Sequence, residues 1–281
     1  MTGLSIDGRT KIYGVIGNPV EHSFSPGMHT IALQELGINA VYLPFLISED
    51  QLPHLLDAFS LTRVQGFNIT LPFKEKIIPF LDSLSEEAKM LQSVNTVKKT
   101  DGGWRGYNTD GSGFIRSLAA SDISVSGKNI LIMGAGGAAK SIAISIAMAG
   151  AYEITILNRT QDKANALATM ISQISSSTQV STSTPRAHKI DIAINATSMG
   201  MKDDRSPLAD DLIKRSKQII DIIYNPAQTT LLKKAAALSI PCMNGMDMLL
   251  YQGVEAFEIW TDQKAPAELM RKSLMASVYP R

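Results

Sequence analysis

Residues Ile130 to Lys140 read ILIMGAGGAAK, an apolar run that passes directly into a glycine turn and then into small, helix-forming residues. A buried strand entering a helix through Gly-x-Gly-x-x-Ala is the arrangement that cradles a dinucleotide pyrophosphate. Gly134 makes the tight turn, Gly136 lets the backbone approach the phosphates, and Ala139 lets the helix lie close to the strand. The segment Gly134, Ala135, Gly136, Gly137 and Ala138 then offers backbone amides and the positive end of a helix dipole to an anion. About twenty residues further on, where the adenosine ribose is read, the strand EITIL runs out at Asn158-Arg159-Thr160, with Lys163 one turn beyond. The acidic residue that would accept from the free 2′-hydroxyl of NAD is missing. Arg159 instead offers a planar, permanent cation, Thr160 a hydroxyl and Lys163 a second charge, a set suited to a 2′-phosphate. The cofactor expected is NADP.

Four other clusters are richer in polar groups than core or surface filler requires: GNPVEHSFSP at Gly17 to Pro26, GFNITLPFK at Gly66 to Lys74, SVNTV at Ser93 to Val97 and GYNTDG at Gly106 to Gly111. In each, hydroxyl, amide or charged groups follow an apolar strand, where α/β sheets gather their ligand groups. Brought together, they suit a polyhydroxylated ligand. His22 and His29 read as packing and loop-bracing residues rather than proton carriers, and Asn68 as a brace before Thr70. The four histidines lack metal-ligand spacing, and the single cysteine, Cys242, can form neither an internal disulfide nor a cysteine cluster, so no metal is expected. Cys242 reads as a small buried apolar residue.

These groups must be held by elements that the chain spells out in a regular rhythm. Short β-branched runs alternate with amphipathic stretches, the pattern of βαβ units and an α/β fold. Strands are expected at Lys11 to Gly17, Ala40 to Ile47, Gly66 to Leu71, Val94 to Lys99 and Trp104 to Tyr107, the last two joined by an Asp101-Gly102-Gly103 hairpin turn. A second, strictly alternating series places strands at Asn129 to Met133, Glu153 to Leu157, Ile190 to Asn195, Gln218 to Ile223 and near Pro241 to Asn244. Helices are expected at Pro26 to Leu36 with Ser25 as its cap, Asp50 to Phe59, Leu84 to Leu91, Gly111 to Ala120, Ala138 to Ala149 and Thr160 to Ile174. Ser175 to Thr184 is Ser/Thr-rich with little to bury, and reads as a mobile loop of no direct function. Two closing helices, Asp247 to Trp260 and Pro266 to Ser277, are too few to form a domain, so they are expected to pack back on the first unit and make it discontinuous.

Composition narrows the field. With 27 basic against 26 acidic residues and a formal charge of +1, the chain has no polycationic surface for nucleic acid. The N-terminal MTGLSIDGRTK has no apolar core before a cleavage site, and the longest apolar stretch, Ser141 to Gly150, is about half of what a membrane span needs. A soluble cytoplasmic protein, monomer or homodimer, acting on a small molecule is expected.

At the four clusters, and at GAGGAAK, NRT, INATSMGM (Ile194 to Met201), DIIYNPAQTTLL (Asp221 to Leu232) and NGMDMLLYQGVEAFEIW (Asn244 to Trp260), the sequence resembles the shikimate dehydrogenase family over nearly its whole length. The resemblance implies NADP-dependent interconversion of 3-dehydroshikimate and shikimate on the route to aromatic amino acids. It implies a substrate domain of residues 1–109 plus 246–281 and a Rossmann-type NADP domain of residues 110–245. Lys74 and Asp110 match the family's catalytic pair, Ser23 and Ser25 its carboxylate-binding hydroxyls, and Thr70, Asn95 and Gln252 the groups that meet ring hydroxyls or carboxylate. Tyr224 matches a substrate-contacting tyrosine, Gly245 a backbone carbonyl near the nicotinamide amide, and Ile222 a cofactor-binding position. Gln92 and Ser93 stand where the family usually has a small Gly-Ala pair, and Thr30 where it usually has Asn. These departures bear on substrate preference, and leave open a quinate/shikimate dehydrogenase or a relative acting on a modified ring.

Overall fold

The computed structural model describes residues 6–185 and 190–279. The first five residues, on which part of the N-terminal reading rests, and the last two lie outside the described residues. The chain divides into two compact units, Met1–Thr109 with Leu250–Arg281, and Asp110–Leu249. The second crossing therefore falls between residues 249 and 250, four residues later than the sequence placed it.

The first unit begins β1 (Lys11–Gly17), α1 (Ser25–Glu35), β2 (Ala40–Leu46), α2 (Leu52–Ser60), β3 (Val64–Ile69), β4 (Ser83–Leu84), α3 (Glu86–Leu91), β5 (Thr96–Thr100) and β6 (Gly103–Tyr107). Its sheet runs β2-β1-β3-β5-β6-β4. Strands β1, β2 and β3 are parallel, whereas β5 pairs antiparallel with both β3 and β6. One face is closed by aromatic edges, Phe59 on Phe67 at 5.4 Å and Phe67 on Trp104 at 5.2 Å between ring centres. Ser25 is the first residue of α1 rather than its cap; Phe24 holds the cap position without a side-chain bond, and the Ser25 amide donates to Ser23 Oγ at 3.3 Å. Gln92 ends α3 at φ +47°, a left-handed conformation that costs a side-chain-bearing residue about 1 kcal/mol and that glycine adopts without that cost.

The second unit comprises α4 (Asp110–Ala119), β7 (Asn129–Met133), α5 (Gly137–Met148), β8 (Glu153–Leu157), α6 (Gln161–Ile174), β9 (Gln179–Ser181), β10 (Ile190–Asn195), α7 (Asp210–Arg215), β11 (Ser216–Asp221), α8 (Thr230–Ala237) and β12 (Cys242–Met243). Its sheet is parallel throughout, in the order β12-β11-β10-β7-β8-β9. Strand interiors are isoleucine-rich, with Ile132, Ile154, Ile156, Ile194 and Ile220 all buried, as a sheet covered on both faces requires. Two sequence expectations are corrected here. Part of the Ser/Thr-rich segment forms β9, pinned at its start by Thr178 Oγ1 donating to the Ala151 carbonyl at 3.0 Å. Cys242 is exposed, because β12 is a two-residue strand at the sheet edge.

Helix α9 (Met246–Thr261) then carries the chain back, and α10 (Ala267–Val278) packs along α1. Trp260 of α9 lies over the first sheet, stacked on Tyr13 at 5.3 Å and donating Nε1 to the Val97 carbonyl at 2.9 Å. A Cβ on Gly66 would overlap its indole.

Candidate active site

Strand direction brings the four polar clusters of the first unit to one end of its sheet. The carboxyl ends of β1 and β3 lead into Asn18–Ser25 and Thr70–Lys74, with Ile16 opposite Ile69 and the Thr70 amide bonded to the Ile16 carbonyl at 2.9 Å. Because β5 runs the other way, its start, preceded by Asn95, lies at that same end, and β6 returns there with Asn108 and Thr109. The Val94 amide donates to the Lys74 carbonyl at 2.8 Å, which fixes the Lys74 backbone beside Asn95. Gly17 lies so close to Thr70 that a Cβ there would overlap the threonine methyl.

A buried polar chain ties these loops together. The Tyr42 phenol donates to Asn68 Oδ1 at 2.7 Å and also meets the Ser25 hydroxyl. Burial raises this phenol well above its usual range, so it stays neutral. Asn68 Nδ2 donates to the Asn95 carbonyl and to Thr96 Oγ1, both at 3.1 Å. Asn95 Oδ1 accepts from Thr96 Oγ1 at 3.0 Å and from the Thr109 amide at 2.8 Å, while Asn95 Nδ2 reaches Thr109 Oγ1 at 3.0 Å. Thr109 Oγ1 in turn donates to the Gln252 carbonyl at 2.9 Å. Asn68 is thus the brace that the sequence suggested, and Asn95 braces as well. Sequence reasoning missed Tyr42, although a tyrosine in a buried strand must find a partner for its hydroxyl. His29 is packed face to face on Tyr42 at 4.6 Å, but both its ring nitrogens are buried with no hydrogen-bond partner, so its part is packing without bracing. Burial lowers its pKa to about 3, and it is therefore neutral.

The second unit offers a groove of about 1130 Å³ at the carboxyl ends of its strands. Its floor is the turn Gly134, Ala135 and Gly136, at the point where the strand order departs from β7 in both directions. Gly134 has φ +117°, and a Cβ there would lie 2.8 Å from the Ala196 carbonyl, so only glycine fits. Gly136 and Gly137 differ: a Cβ at either would meet nothing within 4 Å. Nothing among the described residues requires glycine at those two positions, and the open space in front of a helix start with no capping side chain fits a phosphate. Asn158, Arg159, Thr160 and Lys163 form one side of the groove. Asn158 Nδ2 donates to the Thr160 carbonyl at 2.9 Å, which shapes the turn and leaves Arg159 exposed.

Thr182 and Thr184 also line the groove, from a segment read in the sequence as functionless, and Gln161 of α6 holds the Thr182 carbonyl at 3.4 Å. Thr197, Ser198, Lys202 and Arg205 complete the lining; INATSMGM was the only signal pointing to any of them. Gly137 and Ala138 are the first residues of α5, beyond the lining itself. Ile222 and Gly245 stand apart from the groove but against each other: a Cβ on Gly245 would overlap the Ile222 carbonyl, and the Gly245 amide donates to the Ile223 carbonyl at 3.1 Å. Their segment is held by Asp221, which accepts from Asn195 Nδ2 at 2.9 Å, the Ile223 amide at 3.1 Å and Thr229 Oγ1 at 2.7 Å. Burial raises the Asp221 carboxyl above its ordinary value. Tyr224 follows, half-buried, its hydroxyl likewise raised by burial. Asp110 is buried at the first turn of α4, a helix packed so tightly on α5 that a Cβ on Gly111 would overlap the Ser145 hydroxyl.

Of the expected substrate-side residues, Ser23, Ser25, Thr70, Lys74, Asn95 and Gln252 belong to the first unit, and Asp110 and Tyr224 to the second. Comparison with known proteins matches three successive stretches of the chain to related family models. Residues 15–97 match the shikimate dehydrogenase substrate binding domain, residues 117–224 the shikimate/quinate 5-dehydrogenase domain, and residues 245–275 the shikimate 5′-dehydrogenase C-terminal domain. The shikimate dehydrogenase (NADP(+)) of Alkaliphilus metalliredigens is 40% identical over 281 residues, covering 96% of this chain and 98% of its own. A crystal structure of a shikimate dehydrogenase in complex with NADP+ is similar with a TM-score of 0.90 at 36% identity, over 99% of both chains. The Thermus thermophilus shikimate 5-dehydrogenase, solved with NADP(H) and shikimate, gives 0.86 at 32% identity over 95% of this chain and 100% of that one. The chain belongs to the shikimate dehydrogenase family.

Proposed function

We propose that this protein is a cytoplasmic NADP-dependent shikimate dehydrogenase, monomeric or homodimeric, that reversibly reduces 3-dehydroshikimate to shikimate in aromatic amino acid biosynthesis. The first unit binds substrate and the second binds NADP. The observation that carries this reading is the pairing of a glycine turn with open space before it and a β8 end that offers Arg159 and Lys163 in place of a carboxylate. Gly134 to Ala138 would hold the pyrophosphate, Asn158 to Thr160 with Lys163 the phosphorylated ribose, and the Ile222 and Gly245 backbone the nicotinamide end. When bound, the cofactor supplies the hydride for the ketone carbon, or takes it from the carbinol in the reverse direction.

The chain's own work is to manage the proton and the negative charge that develops on the reacting oxygen. In the reduction direction Lys74 Nζ gives its proton to that oxygen, and in oxidation it takes the proton back. The Asp110 carboxylate keeps lysine and hydroxyl in line. Ser23 and Ser25 receive the substrate carboxylate, while Thr70, Asn95, Gln252 and Tyr224 position the ring. The neutral brace behind them adds no competing charge to this site.

The test is a spectrophotometric assay of shikimate and quinate, each with NADP+ and with NAD+. Shikimate with NADP+ is expected to give the highest kcat/KM. Absence of turnover with that pair would overturn the proposal. Equal rates with quinate would transfer the assignment to a dual-substrate enzyme, with Thr30, Gln92 and Ser93 the first positions to exchange.

A further inference from the structure

One wall of the groove is built from residues that neither the glycine turn nor the Asn158-Arg159-Thr160 segment explains. After Met199 the chain makes a turn around Asp203. Asp203 Oδ1 accepts from the Gly200 amide at 3.3 Å and the Arg205 amide at 3.0 Å, and Oδ2 accepts from Arg205 Nη2 at 2.7 Å. The Arg205 guanidinium and these amides bring the Asp203 carboxyl down to about 2, so the brace is ionised at any working pH. Gly200, at φ +94°, makes the bend. The turn is therefore set before any ligand arrives, and Lys202, Asp203 and Arg205 all face the groove. Among the described residues, the groove lining holds four cations, Arg159, Lys163, Lys202 and Arg205, against one carboxylate, Asp203, in a chain whose formal net charge is only +1. Basic charge is thus concentrated along a cavity lined with threonine hydroxyls and backbone, which is the composition of a polyanion site.

We propose that the braced turn of residues 200–205 is a second anion-binding wall, on which Lys202 and Arg205 receive the phosphate-bearing adenosine half of the dinucleotide. This rests on the NADP reading of the groove. The cofactor's 2′-phosphate adds a strong negative charge that NAD lacks, so a wall of this kind favours NADP over NAD without touching the base. Asp203 is the positioning residue: it neutralises part of the wall's charge to hold the turn in one shape, which reduces what ordering would cost on binding.

The experiment is calorimetric titration of the full chain with NADP+, NAD+ and adenosine 2′,5′-bisphosphate, at low and at physiological ionic strength and without substrate. Arg159→Ala is the reference, expected to lose about ten- to a hundredfold in NADP+ affinity. Lys202→Gln is expected to weaken NADP+ and the bisphosphate by about five- to tenfold, with NAD+ changed less than about twofold and the difference shrinking as salt rises. Asp203→Ala removes a negative charge and yet is expected to weaken NADP+ by about threefold or more, because the turn is released. Unchanged NADP+ affinity in Lys202→Gln, equal weakening of NADP+ and NAD+, or tighter NADP+ binding in Asp203→Ala would each overturn the proposal. Failure of the dehydrogenase reading shows differently, as NADP+ binding without shikimate turnover.

Discussion

Both units gather ligand groups at the carboxyl ends of parallel strands, and both brace them with a buried asparagine, yet the braces differ in charge. In the first unit Asn68 and Asn95 work with Tyr42, Thr96 and Thr109, all neutral. In the second, Asn195 works with a carboxylate, Asp221. The glycines differ in a parallel way. Gly66 is glycine because Trp260 occupies the space of its side chain, whereas Gly136 faces emptiness. The first unit is filled with itself at this position. The second leaves the backbone of its glycine turn open to the groove.

This contrast can be broken most severely at Lys74. If the first unit supplies the lysine that carries the proton and the second, Asp110 and Tyr224 apart, holds the cofactor, Lys74→Ala lowers kcat by about 10² to 10⁴ while NADP+ affinity stays where it was. Asp110→Asn, at the first residue of the second unit, should cost a similar factor, and the double variant less than the product of the two. Steady-state kinetics with cofactor titration checks both; a Lys74→Ala protein with near-normal kcat removes the lysine from the chemistry.

A smaller effect separates the two kinds of glycine. Gly66→Ala forces a methyl against the Trp260 indole and within 2.7 Å of the Val97 carbonyl, and is expected to cost about 1–3 kcal/mol of stability in urea unfolding. Gly136→Val has ordinary extended backbone, φ −86° and ψ −174°, and is expected to leave stability unchanged while reducing NADP+ affinity about tenfold or more. Unfolding of Gly136→Val at lower urea would mean that the protein itself uses that space.

The smallest effect is acid sensitivity. His29 in the folded first unit has its pKa lowered to about 3, whereas in the unfolded chain it binds a proton near the ordinary histidine value of about 6.5. The unfolded state therefore holds more protons between those values, so stability falls with falling pH, by about 2 kcal/mol between pH 7 and pH 5. Asp221 acts in the opposite sense, since its raised carboxyl takes up a proton more readily when folded and gains stability as pH falls toward its unfolded value. The first unit is thus expected to yield first. Both tryptophans, Trp104 and Trp260, lie in it, so their fluorescence should report a transition at lower urea at pH 5 than far-UV circular dichroism does. His29→Phe should abolish the separation; coincident transitions in the wild-type chain would contradict the idea.

The same contrast explains what the sequence reveals. The groove floor is legible because strand, turn and helix lie within eleven consecutive residues, and Arg159 follows at a fixed remove. The brace of the first unit is not, because Tyr42 meets Asn68 across 26 residues, Asn68 meets Thr96 across 28, and Thr109 meets the Gln252 carbonyl across 143. Local pattern carries no trace of such partners. Helices α7 and α8, of six and eight residues, lie outside the helices expected from the sequence. The groove walls at Thr182 and Lys202 were invisible for a different reason: their residues are ordinary surface types until a fold sets them along the same groove as Arg159.

The bond from Thr109 to the Gln252 carbonyl bears on how the protein is made. It fastens the outgoing and returning passages of the chain side by side, so residues 110–249 are an insertion whose ends nearly touch. On the ribosome the inserted unit is complete before α9 and α10 have been fully translated. Until they arrive, Tyr13, Met28, His29 and Tyr42 have no Trp260 or Gly253 against them, and a greasy aromatic surface is left open to water. At translation rates of about 5–20 residues per second that interval is on the order of ten to forty seconds. The nascent chain thus carries this apolar surface uncovered through the whole synthesis of the inserted unit, until the two closing helices arrive to cover it.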